Sequence, residues 1–99
     1  MTSFAIVGKI AHQPTITSEL EGTKEINKKI VISISVEHAD GKQEFFGIVS
    51  TDEKVINHKY VLEEPIHVSG HLIGLDKYPG AQGNYMLEAT YVVFPNDKK

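Results

Sequence analysis

The side chains of this 99-residue chain that could do chemistry are thirteen carboxylates, five histidines and ten lysines, and their spacing excludes more than it offers. His67 and His71 flank Ser69 on one face of an alternating segment, which could begin a zinc site, but no third ligand follows at a converging spacing. The chain has no cysteine, so it has no thiolate ligand, cysteine nucleophile or disulfide framework. No nucleophile–base arrangement, phosphate-cradling glycine loop or helical zinc motif is present. The expectation is a binding protein rather than an enzyme, with no metal and no cofactor. Every basic side chain is lysine, and without arginine, bidentate recognition of phosphate or guanine is excluded. A formal net charge of −3 argues against a protein that coats duplexes indiscriminately. A local lysine patch is still effective, because exposed charges beyond about 8 Å are largely screened at physiological salt.

The elements that must position these groups are mostly strands. Residues 3–13 (SFAIVGKIAHQ) are rich in strand formers, with Gly8 inside, a mark of close backbone packing or a bulge. Residues 14–27 are polar, carry Glu19, Glu21 and Glu25, and read as a long connection punctuated by Gly22. Residues 28–38 alternate cleanly, with Ile30, Ile32, Ile34 and Val36 on one face and Lys29, Val31, Ser33, Ser35 and Glu37 on the other. The Asp40-Gly41 turn signal predicts an antiparallel hairpin between that strand and residues 43–50.

Thr51 reads as the cap of a helix with Asp52 and Glu53 in its first turn, and Pro65 bars continuation past Glu64. Residues 66–75 alternate again, 76–84 form a glycine- and proline-bearing loop, and 85–94 are the last strand. Tyr60 and Tyr85 read as packing residues. Five strands with a short helix between the third and fourth is the succession of the OB fold, a partly open Greek-key barrel. The expected class is all-β, with residues 1–99 as one OB-fold domain. The N-terminus lacks the charged, apolar and small-residue succession of a secretory signal, so a cytoplasmic location is expected.

Several short motifs together resemble the bacterial and phage single-stranded-DNA-binding protein family. Phe4-Ala5-Ile6-Val7-Gly8-Lys9-Ile10 resembles its opening strand, and His12-Gln13-Pro14 its short polar stretch ending in proline. Gln43-Glu44-Phe45-Phe46-Gly47-Ile48-Val49 is similar to the third strand, and Val68-Ser69-Gly70-His71-Leu72 to the fourth. Tyr78, Gly83, Tyr85 and Glu88 are spaced like the final hairpin. The family's tryptophans, its common arginines and its long tail with an acidic tip are missing, which resembles short, tailless members and the primosomal replication protein N.

The resemblance implies non-catalytic binding of single-stranded DNA in replication, recombination or DNA transfer, with RNA an open possibility. It puts Phe45 outward as a stacking ring, Tyr78 at a second stacking position and His38 at a third; alternation alone leaves open which of Phe45 and Phe46 is exposed. Lys9, Lys28, Lys29 and Lys77 are the expected phosphate contacts, and Lys24 and Lys42 lie in the same half of the barrel. The loop acids Glu19, Glu21 and Glu25 oppose binding. Homodimers or homotetramers are expected, with Ile73 and Leu75 as subunit contacts. The alternative is an OB-fold protein–protein adaptor that binds no nucleic acid.

Overall fold

The structure is a computed structural model and describes residues 3–73 and 85–96. In chain order the elements are β1 (Ser3–Ile10), β2 (Thr15–Glu21), β3 (Lys24–Glu37), β4 (Gln43–Ser50), α1 (Glu53–Ile56), β5 (Pro65–Ile73) and β6 (Tyr85–Val93). The strands follow the order β1-β5-β6-β4-β3-β2, and an added β1–β3 pairing closes five of them into a barrel. β4 and β6 run parallel and the other neighbours antiparallel. This is the five-stranded OB-type barrel expected from the element order, with the helix between its third and fourth strands.

Alternation decides what fills it. Ile30, Ile32 and Ile34 of β3 are fully buried with Ile10, Ile48, Ile66 and Leu87 from the strands around them. Phe4, Val36, Phe46, Tyr60 and Phe94 pack against that cluster. Closure needs β1 to come very close to β3, at Lys9 opposite Ser35 and Ile10 opposite Ile34. Gly8 permits it: a Cβ there would lie 2.5 Å from both Ile34 Cγ2 and the Ser35 carbonyl oxygen.

Two sequence expectations are corrected. Residues 14–27 are not a connection but the hairpin of β2 and the start of β3, joined by a two-residue turn at Gly22 (φ +67°) and Thr23. Thr15-Ile16-Thr17 supplies strand-forming side chains, and the glycine takes a backbone conformation that other residues avoid. Between the pairs Thr17–Lys29 and Glu19–Ile26 the register shifts, and the extra residue lies on β3, where Asn27 has φ +53°.

The helix is a single turn. Asp52, not Thr51, is its cap, accepting a hydrogen bond from the Lys54 N–H at 2.9 Å, and Asn57 ends it. The segment after it is fixed by side chains instead. Tyr60 Oη donates to the Val55 carbonyl at 2.6 Å, and the His58 ring stacks on Phe94 at 3.6 Å while bonding Glu64 at 2.8 Å. Burial, with the neighbouring Glu64 carboxylate, pushes the Tyr60 phenol well above its usual range. Among the described residues no helix is long and apolar enough to cross a membrane.

Candidate nucleic-acid interface

The outer face of β3 and β4 carries the odd-numbered residues of both strands, because Ile34 pairs with Phe46 on the core side and Ser35 pairs with Phe45 on the other. Phe46 therefore packs inward and Phe45 stands on the outer face, half-buried. Closure of the barrel brings β1 alongside, so that Lys9, Ser35 and Phe45 form one cross-strand row: Lys9 opposite Ser35, Ser35 opposite Phe45. Beside this row runs a groove of about 280 Å³ lined by Val7, Lys9, Ser35, Glu37, Gln43 and Glu63. A cation, a hydroxyl, an amide and an adjacent ring can serve a phosphate and a base. Glu37 and Glu63 set two carboxylates against the one lysine.

The face is not an open trough along its whole length. The next rows are Ser33 with Gly47 and then Thr15, Val31, Val49 and Glu88. Val31 is 6% exposed and Val49 2%, although both lie on the side away from the barrel interior. The accessible part is thus the end near Lys9 and Phe45, with Lys29 inside β3 on the far side of the two valines. Ser35 is six residue steps from Lys29, about 20 Å along a strand.

The remaining expected residues are dispersed. Lys28 pairs with Glu25 at 3.6 Å, and it and Lys29 border a separate groove of about 470 Å³ with Asn27, Thr51, Glu53 and Asn57 beside α1. His38 follows β3, and its Nε2 lies 2.9 Å from Glu44 Oε1, so a carboxylate rather than the Phe45 ring is its partner. Lys24 sits at the tip of the β2–β3 hairpin opposite Glu21, and Lys42 at the turn before β4. Lys77 and Tyr78 lie outside the described residues, as does Leu75, and so does the side chain of Ile73.

Sequence reading missed Gln43 and Glu63. Gln43 falls on the outer face by the same alternation that places Phe45. Glu63 has no pattern signal: it reaches the groove because it adopts φ +71° while its N–H donates to the Ile10 carbonyl at 2.9 Å. A second outer face, on β1, β5 and β6, presents Val7 (65% exposed), His67, Ser69 and Tyr91 (67% exposed).

No protein-family model matches the chain, and no curated protein sequence matches it. Solved structures do match. The small single-stranded DNA-binding protein from Streptomyces coelicolor superposes with a TM-score of 0.70 at 16% identity, covering 94% of this chain and 92% of that one. A mitochondrial single-stranded DNA-binding protein from S. cerevisiae gives 0.69 at 17% identity, covering 99% and 97%. The dimeric N-terminal domain of PriB from Thermoanaerobacter tencongensis gives 0.67 at 13% identity, covering 92% of each chain. The chain has the fold of these proteins over nearly its whole length.

Proposed function

We propose that this protein is a non-catalytic binder of single-stranded DNA that keeps strands unpaired during replication, recombination or transfer in the cytoplasm. The observation that carries the reading is the row Lys9–Ser35–Phe45, which sets an outward ring and a cation on either side of a serine on the outer face of a barrel. The fold it shares with single-stranded DNA-binding proteins supports the same reading. A base stacks on Phe45 while Lys9 takes a flanking phosphate; Lys28, Lys29 and Lys77 extend the path, with Tyr78 and His38 as further stacking positions. Stacking and ion pairing need no sequence information, so binding is sequence-tolerant. Glu37 and Glu63 weaken it. The chain assembles as a homodimer or homotetramer, with the Val7–Tyr91 face as a subunit contact alongside Ile73 and Leu75.

The test is a fluorescence-anisotropy titration with oligo(dT) and its RNA counterpart at low and moderate salt. Four phosphate contacts give a slope of log K against log salt near −3. The carboxylates in the groove favour one other reading, a protein–protein adaptor. No binding to either oligonucleotide at low salt, where attraction is strongest, selects the adaptor.

A further inference from the structure

The strand order ends at β2, whose outer edge meets no other strand among the described residues. All seven residues of β2 are exposed, including Ile16 (50%) and Leu20 (71%), and the strand contains neither lysine nor proline, two of the usual guards of a free edge. Its sequence, Thr15-Ile16-Thr17-Ser18-Glu19-Leu20-Glu21, is symmetric in character about Ser18. We propose that β2 pairs antiparallel with β2 of a second copy of this chain, on a two-fold axis at Ser18.

Register argues for that axis. Centred on Ser18, Ile16 lies opposite the partner's Leu20 and Leu20 opposite the partner's Ile16, giving two apolar pairs on one face. On the other face Thr17 meets the partner's Glu19, Thr15 meets the partner's Glu21, and no acid directly opposes an acid. Centring on Glu19 instead sets like charges opposite one another, and centring on Thr17 leaves Ile16 against a serine. Parallel in-register pairing stacks every glutamate on its copy.

The acids are also drawn off the edge. Glu19 accepts a hydrogen bond from Asn27 Nδ2 at 2.8 Å, on the β3 side of β2. That pull separates Glu19 from the partner's Glu19, its diagonal neighbour across the axis. Asn27 is the residue with φ +53° at the register shift on β3, so the irregularity in the hairpin also supplies the donor that holds Glu19. This surface lies apart from the groove at Lys9 and uses none of its residues.

A chain without cysteine makes the test direct. Ser18→Cys places a thiol opposite its own copy at a Cα separation a disulfide can span. Under mild oxidation at micromolar concentration it should form covalent dimers about tenfold or more faster than Lys54→Cys, an exposed site on α1. Adding Ile16→Lys and Leu20→Lys should remove that advantage, and the same pair of changes without the cysteine should lower the mass measured by sedimentation velocity. Equal rates for the two cysteine variants, or an unchanged mass in the lysine variant, would overturn the proposal. Nucleic-acid binding does not enter either readout, so the outcome is independent of the function proposed above.

Discussion

Adjacent phenylalanines divide two tasks in β4: Phe46 packs on the core and Phe45 stands on the outer face beside Ser35, with Lys9 on the strand beyond. Phe45→Ala should weaken oligo(dT) binding by about 1–3 kcal/mol with a nearly unchanged Tm. Phe46→Ala should instead cost about 3 kcal/mol of stability and lower the Tm by about 10 °C or more. Paired thermal melts and anisotropy titrations separate the two effects. Lys9→Ala should flatten the salt dependence of log K by about 0.7, the share of one phosphate on a single strand. Phe45's outward side was implied by motif resemblance, while alternation alone fitted both faces. Glu63 was not legible at all, because its place depends on backbone bonding to Ile10 rather than on any side-chain pattern.

At the scale of elements, barrel closure rests on Gly8 and the C-terminal strand on an aromatic clasp. Gly8→Ala should destabilise by about 1–3 kcal/mol, read by urea denaturation, since the added methyl meets the backbone of β3. Tyr60 gives a pH prediction. Its folded-state phenol holds its proton more tightly than the unfolded chain does, through burial first and Glu64 second. Its contribution is therefore fully present below about pH 10 and is lost as pH rises further, because the folded state then binds more protons than the unfolded one. Tyr60→Phe should flatten that alkaline fall while lowering stability at neutral pH through the unpaired Val55 carbonyl.

The 28–38 alternation, the Asp40-Gly41 hairpin and the role of Gly8 were readable from local pattern. The β2–β3 hairpin was not, because its polar, exposed strand buries nothing and so leaves no periodic apolar signal. That the helix stops after one turn was not readable either, because Val55, Ile56 and Tyr60 sit at helical spacings, yet Tyr60 reaches the core from irregular chain held by its own hydroxyl.

Across the whole molecule, the proposed binding of a single strand depends on asymmetry within an acidic protein. A net charge of −3 repels a polyanion at long range, so attraction must come from cations acting within a screening length of the strand. The end of the barrel near Lys9 and Phe45 is where a cation and a ring coincide, while the centre of the same face is closed over at Val31 and Val49. Mapping oligo(dT) contacts by amide chemical-shift changes in the isotope-labelled full chain tests that assignment most directly. The largest changes should fall on Lys9, Ser35, Gln43 and Phe45 and fade with added salt. Changes centred instead on His67 and Tyr91 of the second outer face, or none at low salt, would contradict it.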